Sequence, residues 1–119
     1  MIKRIIYIML TIGILANICS CALFQKPIDR KTGFSDYLEQ TKLYIQDEEW
    51  EKAASSLEES RKNWKKLKPL FQVDIDHDYV NSIEDDFVKL EGYIGAKEKG
   101  NSLATILLVK EVWDNIGSL

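Results

Sequence analysis

The residues best suited to chemistry lie in the run Asp74–Asp78, which holds His77, the only histidine of the chain. Its three aspartates at alternate positions resemble the start of a calcium-binding loop, because such loops ligate the ion through carboxylates spaced in this way. Ser82 and Asp85 fall at the ninth and twelfth positions of that loop. Tyr79, however, stands where a glycine makes the sharp turn. The match to a calcium loop is therefore incomplete.

The same acidic residues have a simpler interpretation at the start of a helix. Asp76 or Asp78 can cap a helix that begins near His77, and acids in a first turn suit the helix dipole. We favour capping. Metal binding by the Asp74–Asp78 connection and a proton-sensing or catalytic role for His77 are the alternatives. No resident cofactor or metal is expected.

Two acidic runs offer paired carboxylates of the kind that cleave glycosides, Asp47-Glu48-Glu49 and Glu84-Asp85-Asp86. Consecutive residues of a helix point in different directions, so each run places few groups at one point. No set of nucleophile and base is found, and we expect the protein not to be an enzyme. Tyrosines form a further set, interpreted as core edges or as the lining of a binding groove: Tyr37, Tyr44, Tyr79 and Tyr93.

Residues 1–21 have the pattern of a secretion signal. Lys3 and Arg4 form a positive start, and the run Ile5–Ile18 is largely apolar. The next residues, Ile18-Cys19-Ser20-Cys21, resemble a bacterial lipobox, with a small residue directly before the second cysteine. Cys21 is therefore the predicted site of lipidation.

Two alternatives to the lipoprotein remain open for this segment. Ile5–Phe24 is about as long as a bilayer requires, so it can act as an uncleaved anchor, or the signal can be cleaved without lipidation. The basic residues near the start favour an N-terminus on the inside, which places the body at the outer, extracytoplasmic face of the cell membrane. Residues 22–33 lack periodicity and are predicted to be a tether.

The body, residues 34–119, lacks cysteine and carries interleaved charges, with 16 basic and 19 acidic residues in the whole chain. A nucleic-acid-binding protein usually shows a basic patch, so no nucleic-acid partner is expected. The absence of body cysteines excludes a disulfide, a thiolate nucleophile and a cysteine-based zinc site from this part of the chain.

The central predicted helix contains the strongly patterned stretch Asp47–Trp64 and is closed by Pro69. Its first turns are acidic and its last turns basic, which suits the helix dipole, and Asp47 is the expected N-cap. One face carries residues at helical spacing that should form the centre of the core: Trp50, Ala53, Ala54, Leu57, Ser60 and Trp64.

Three more helices are predicted, over Phe34–Gln46, over His77–Ile94, and after Gly100 as far as Ile116. Gly95 is expected to be the left-handed residue that ends the third of the four. Short connections and one apolar stripe per helix predict an all-α protein, an antiparallel four-helix up-and-down bundle after the N-terminal signal or anchor. The first pair has the dimensions of a tetratricopeptide-like hairpin, but we find no repeat of its pattern in the second half.

Several segments resemble domain-of-unknown-function family 4363, a bacterial family of small membrane-anchored proteins from low-GC Gram-positive species. They are D-E-E-W-E-K-A, Trp64, I-D-H-D-Y-V-N-S-I and L-E-G-Y-I. The resemblance covers residues 34–116 and implies a helical fold beside a membrane, with no catalytic residue or cofactor to transfer. Other members resemble simple anchors, whereas this chain has the lipobox-like Cys21.

These observations predict a non-catalytic module, tethered to the membrane by an N-terminal lipid or helix, that presents a helix face or groove to an envelope or membrane protein. A tether raises the local concentration, so a weak contact suffices. The alternative is a lipoprotein that binds a small ligand or metal with the Asp74–Asp78 connection. An exposed apolar patch on a packed interior favours the first, and a cavity with convergent polar groups favours the second.

Overall fold

The computed structural model describes residues 1–18, Asp29, residues 32–71 and residues 77–116. Within these ranges the chain is helical and has no strand, which confirms the predicted all-α class. Five helices can be described in these ranges: α1 (Ile2–Ile18), α2 (Phe34–Gln46), α3 (Trp50–Phe71), α4 (His77–Gly95) and α5 (Lys99–Ile116).

Both ends of α3 differ from the prediction. Asp47 is the C-cap residue of α2, and its backbone N–H donates to the Leu43 carbonyl at 3.0 Å, so it does not cap α3. Pro69 lies inside α3, which continues to Phe71. Burying Phe71 contributes about 1.5–3 kcal/mol. This is comparable with the cost of about 3 kcal/mol for a proline inside a helix, which lacks the N–H donor and crowds the carbonyl four residues before it.

The α2–α3 and α4–α5 connections have the same conformation. Glu48 and Lys97, 49 residues apart, both adopt a left-handed φ of 57°. The prediction that Gly95 takes this conformation is wrong, because Gly95 is still helical and the chain reverses two residues later. The matching hydrogen bonds are Glu48 N–H to Ile45 O and Lys97 N–H to Ile94 O at 3.0 Å, and Glu49 N–H to Tyr44 O and Glu98 N–H to Tyr93 O at 2.9 Å.

The pattern of buried residues in α2 and α3 recurs 49 residues later in α4 and α5. The second half of the body therefore repeats the first, and the expectation that it does not is wrong. Few residues are identical between the halves, and the repeat is carried by burial rather than by residue type. Buried pairs related in this way are Phe34 and Ile83, Leu38 and Phe87, Ile45 and Ile94, Leu57 and Ile106, Trp64 and Trp113, and Leu67 and Ile116.

The four helices of the body share one core. α2 packs against α3 and α5, and α4 packs against the same two helices. At one end of the core Phe34 contacts Trp113 with ring centroids 4.8 Å apart and Trp64 at 5.9 Å. Trp64 is 2 % exposed, whereas Trp50 is half-buried at the edge of the core. The two central indoles are therefore Trp64 and Trp113, whereas the sequence predicted Trp50 and Trp64.

Ala54 is the one predicted inward residue of α3 that is exposed. Ala54 lies at the margin of the apolar stripe, beside the seam with α4. Its side chain is only a methyl group, which is too short to reach α4 and stays exposed. Ser60 is fully buried, as predicted, and its hydroxyl donates to the Ser56 carbonyl at 3.0 Å.

The side chains of residues 1–14, which include most of α1, are exposed. The hydroxyl of Thr11 donates to the backbone carbonyls of Tyr7 and Ile8 within the helix, at 2.8 and 2.9 Å. Among the described residues, no helix combines the length and apolar character needed to cross a membrane.

Candidate functional site

The Asp74–Asp78 connection, the alternative site for a metal or small ligand, lies partly outside the described residues. His77 and Asp78 are the first two residues of α4, and both are exposed. Asp74 and Asp76 fall outside the described ranges, as does the predicted lipidation site Cys21. Within the described ranges, histidine, cysteine and acidic residues form no group of three or more that could hold a metal ion.

The carboxylates of the run Glu84-Asp85-Asp86 point in different directions, as helix geometry predicts. Glu84 pairs with Lys68 of α3 at 2.6 Å, while Asp85 is exposed. Asp86 is buried and pairs with Lys89 at 3.4 Å. The other acidic run forms the exposed connection between α2 and α3. Neither run brings two carboxylates to one reacting point.

The four tyrosines are half-buried in the structure. Tyr44 and Tyr79 pack against the core, which agrees with their interpretation as core edges. Lys52 lies 5.9 Å from the Tyr44 ring centroid, at the distance of a weak cation–π contact. None of the four tyrosines lines either of the two clefts described below.

Two surface clefts lie along the seam between α3 and α4. Arg61 borders both, and its ion pair with Glu91 crosses the seam. The first cleft has a volume of about 230 Å³ and is lined by Arg61, Trp64, Lys65, Glu84, Phe87 and Val88. The second, which we name the Ala54–Gly95 cleft, has about 260 Å³ and is lined by Ala54, Leu57, Glu58, Arg61, Glu91, Ile94 and Gly95.

Small residues open the Ala54–Gly95 cleft. A Cβ atom added to Gly95 would meet no heavy atom within 4 Å, and Ala54 contributes only a methyl group on the other side. Leu57 and Ile94 are buried beneath. The cleft therefore has an apolar floor and a charged rim, and it is open to solvent.

The opposite seam, between α2 and α5, carries exposed leucines. Leu43 of α2 is 47 % exposed and Leu107 of α5 is 53 % exposed. Glu39 and Lys110 form an ion pair across this seam. Leu43 follows Glu39 by one helical turn, and Leu107 precedes Lys110 by one turn, so the two leucines flank the same stretch of the seam. We name this surface the Leu43–Leu107 ridge.

The charges beside the ridge are tightly coupled. The Glu39 carboxylate accepts hydrogen bonds from Lys110 and from Lys42, the latter at 2.8 Å. These two ammonium groups, Lys110 first, hold the pKa of Glu39 below its usual range, although partial burial acts in the other direction. Glu39 is therefore ionised at neutral pH and orders two cations around the ridge.

Sequence reasoning missed this arrangement because exposure of a leucine depends on the neighbouring helix. The sequence pattern places Leu107 at the flank of the inward face of its helix and Leu43 outside the apolar stripe of α2. The position of Leu43 is the signal for this surface in the sequence, because a large apolar residue off the apolar stripe of an amphipathic helix is expected to be exposed. For the cleft, the small residue Gly95 was interpreted only as a helix terminator.

The comparisons with known proteins give one match. The model of a domain of unknown function, DUF4363, matches residues 28–119. The chain belongs to the DUF4363 family. The matched region contains all of α2 to α5, and with them the ridge and the cleft. No curated protein and no solved structure matches this DUF4363 chain.

Proposed function

We propose that this DUF4363 protein is a non-catalytic, membrane-tethered module that binds another protein through the face of its helical domain. The observation that carries the proposal is the Leu43–Leu107 ridge, where two large apolar side chains lie about half exposed on a packed core. Large apolar side chains exposed on a packed domain favour an interaction site. The half-open clefts suit a partner's side chain better than an enclosed small molecule.

We infer that α2 to α5 form an antiparallel four-helix up-and-down bundle. The direction of the ion pairs supports this arrangement, because Lys68 pairs with Glu84 while Arg61, earlier in α3, pairs with Glu91, later in α4. The α2–α5 seam behaves in the same way. Near the start of α2, Ser35 contacts Trp113, and farther along, Glu39 contacts Lys110.

We propose that the N-terminal segment attaches the domain to the outer face of the cell membrane, with Cys21 as the lipidated residue. The exposed apolar side chains of α1 support an apolar environment for this helix. A lipoprotein signal needs only a short apolar run, so this attachment does not require α1 to cross the bilayer.

Mass spectrometry of the mature N-terminus tests this attachment. We expect a chain that begins at Cys21 and carries added acyl mass, and a Cys21→Ser variant that lacks that mass. An intact Met1 would instead show an uncleaved anchor. A processed chain without acyl mass would show secretion and would contradict membrane attachment.

In-cell crosslinking tests the interaction. A photoreactive amino acid at position 107, on the ridge, should capture a protein at native expression, and identification of that protein names the partner. The matched control is position 108 on the same helix, where Leu108 is similarly exposed at 49 % but points to another side. Equal capture at both positions, or recovery of the monomer alone, would contradict a partner at the ridge.

A further inference from the structure

We propose that the first of the two α3–α4 clefts binds a carboxylate group. We name it the Trp64 cleft, and its lining residues are Arg61, Trp64, Lys65, Glu84, Phe87 and Val88. This site goes beyond the proposed function, because it lies on the other seam from the Leu43–Leu107 ridge. Three observations support it: an indole N–H that has no acceptor, a related cleft in which the acceptor is present, and cations that remain available to a ligand.

Trp64 carries a hydrogen-bond donor that no residue in the described ranges satisfies. The side chain is 2 % exposed, and its Nε1 is buried without a hydrogen-bond partner. An indole N–H can only donate, and a buried donor that stays unpaired retains the full cost of losing its water. An acceptor that reaches this nitrogen therefore gains a hydrogen bond for which the protein itself offers no competitor.

The Trp64 cleft has a counterpart between α2 and α5, at the related positions of the internal repeat. The counterpart has a volume of about 220 Å³, and every residue that lines the Trp64 cleft has an equivalent, 49 positions away, that lines the counterpart. The two clefts are thus the same place in the fold with different side chains. The equivalents that matter are Trp64 and Trp113, Glu84 and Ser35, Lys65 and Asp114, and Val88 and Glu39.

In the counterpart the indole N–H is connected to a carboxylate. Trp113 donates to the Ser35 hydroxyl at 2.9 Å, and that hydroxyl donates to the Asp29 carboxylate at 2.6 Å. In the Trp64 cleft the position of Ser35 is taken by Glu84, whose carboxylate pairs with Lys68 at 2.6 Å. The repeat directs the Trp64 N–H toward this position, where the acceptor is engaged elsewhere. A carboxylate from a ligand supplies what the counterpart contains.

The acids around the Trp64 cleft are paired or lie outside it. Glu84 pairs with Lys68, and Glu91 pairs with Arg61 across the seam. Two further acids nearby do not line the cleft: Asp85, exposed on α4, and Glu58, which lines the Ala54–Gly95 cleft. An incoming carboxylate thus meets no unpaired acid on the walls of the cleft.

Two cations remain available to a ligand. Lys65 lines the cleft and forms no ion pair with any residue that the structure describes. Arg61 uses one nitrogen for Glu91, and its guanidinium carries further N–H donors. Val88 stands where the counterpart has Glu39, so a valine side chain replaces the carboxylate that pairs with Lys110 on the other seam.

The shape of the cleft limits the size of the ligand. Phe87 is buried in its floor, and Val88 is 61 % exposed at its lip, so apolar surface lies beside the donors. The volume of about 230 Å³ is below the roughly 300–1,000 Å³ of pockets for drug-sized molecules. The ligand is therefore a carboxylate on a short apolar body, either an acidic side chain of a partner protein or a small free acid.

The carboxylate reaches the covered indole nitrogen when the Glu84 side chain turns aside. This side chain is 40 % exposed, and an ion pair at the surface, such as that of Glu84 with Lys68, contributes little to stability. The movement therefore opens the path to Trp64 without disturbing the core.

The indole N–H resonances of the ¹⁵N-labelled full chain in detergent micelles test the site. The chain has three tryptophans, so three separate signals report. Titration with benzoate should move the Trp64 signal downfield and saturate at a dissociation constant on the order of millimolar. The Trp113 signal should stay in place because its N–H already has an acceptor. Benzyl alcohol, which has the same ring without the charge, should move neither signal.

Two matched pairs of variants at exposed positions assign the binding to this cleft. Lys65→Gln should weaken benzoate binding about twofold to fivefold, as loss of a surface ion pair does. Lys66→Gln removes an equal charge outside the cleft and should match wild type. Val88→Glu places a carboxylate at the lip, as Glu39 does in the counterpart, and should weaken binding at least as much as Lys65→Gln. Val88→Gln, of the same size but neutral, should bind more tightly than Val88→Glu.

A blocked tripeptide, phenylalanine-glutamate-phenylalanine, separates the two sources of the carboxylate. Binding at least as tight as that of benzoate assigns the site to an acidic side chain of a partner protein, and weaker binding assigns it to a small free acid. The site is wrong if neither probe moves the Trp64 signal, if benzyl alcohol moves it as benzoate does, or if Lys65→Gln and Lys66→Gln bind alike. Crosslinking at position 107 concerns the other seam, so its result bears on the proposed function alone.

Discussion

Phe34 holds the aromatic part of the core together, because its ring contacts both buried indoles and Phe87. The centroid of Phe87 lies 6.3 Å away in an edge-to-face arrangement, and Trp113 also contacts Phe71 at 5.6 Å. Such pairs add about 0.5–1.5 kcal/mol beyond the burial of area. The indole N–H of Trp113 donates to the Ser35 hydroxyl at 2.9 Å, which fixes the ring against α2.

Trp64→Ala should leave the domain largely unfolded or molten. Truncation of a buried tryptophan costs about 3–5 kcal/mol, a large part of the roughly 5–15 kcal/mol that stabilises a domain. Trp50→Ala, at the edge of the core, should retain a cooperative transition. Thermal unfolding followed by circular dichroism compares the two, and a Trp64→Ala variant that melts within a few degrees of wild type would contradict the central position of this ring.

Glu39→Gln should reduce the dependence of stability on pH. The lowered pKa of Glu39 means that its ionised form stabilises the folded state above the ordinary glutamate range, about pH 4.3, and that this contribution disappears as the pH falls through the lowered pKa. Since the side chain is 42 % exposed, we expect less than about 1 kcal/mol at pH 7.

Unfolding free energies of wild type and Glu39→Gln, measured by urea from pH 7 to pH 3, should converge at the acid end. Glu111→Gln is the control, because Glu111 is an exposed acid of α5 outside the Glu39 cluster. An equal loss at every pH would show that Glu39 acts by packing alone. High salt should also reduce the difference at pH 7.

The α2–α3 connection and the α4–α5 connection each contain one left-handed residue, Glu48 and Lys97. An L-residue pays about 1–2 kcal/mol in this conformation, glycine does not, and β-branched residues are the least tolerant. Glu48→Gly should therefore be more stable than Glu48→Val by about 1–2 kcal/mol. Denaturant unfolding provides the measurement.

Lys97 allows the same prediction to be tested at the α4–α5 connection. Because its connection has the same φ and the same hydrogen bonds, Lys97→Gly and Lys97→Val should differ in the same direction. Gly95→Val, two residues earlier and inside α4, should lack the penalty of a left-handed residue. A Lys97 pair with the opposite order would show that the two turns are not equivalent in solution.

Asp29 and Thr32, which precede α2, are hydrogen-bonded to the domain. Asp29 accepts hydrogen bonds from the Ser35 backbone N–H at 2.9 Å and from its hydroxyl at 2.6 Å. The Asn63 side chain donates to the Thr32 carbonyl at 2.8 Å. These contacts connect Asp29 to α2 and Thr32 to α3.

Asp29→Ala should lower the unfolding free energy by about 1 kcal/mol, as loss of a helix-capping carboxylate does. It should also increase protease cleavage before Phe34, because local opening then needs less energy. Asp36→Ala, which removes an exposed acid of the first turn of α2, is the control. Equal cleavage of the Asp29→Ala and Asp36→Ala chains would contradict an attached segment.

The amino-acid sequence determined the helices and their type, because apolar spacing and helix-breaking residues act locally. It placed Phe34–Gln46 and the burial of Trp64 and Ser60 correctly. Tertiary contacts decided what local rules cannot supply. The continuation of α3 through Pro69 depends on a pocket for Phe71, and the central position of Trp113 rather than Trp50 depends on Phe34, far away in the chain. The ridge and cleft likewise exist only because helices distant in sequence leave Leu43 and Leu107 uncovered and Ala54 and Gly95 unfilled.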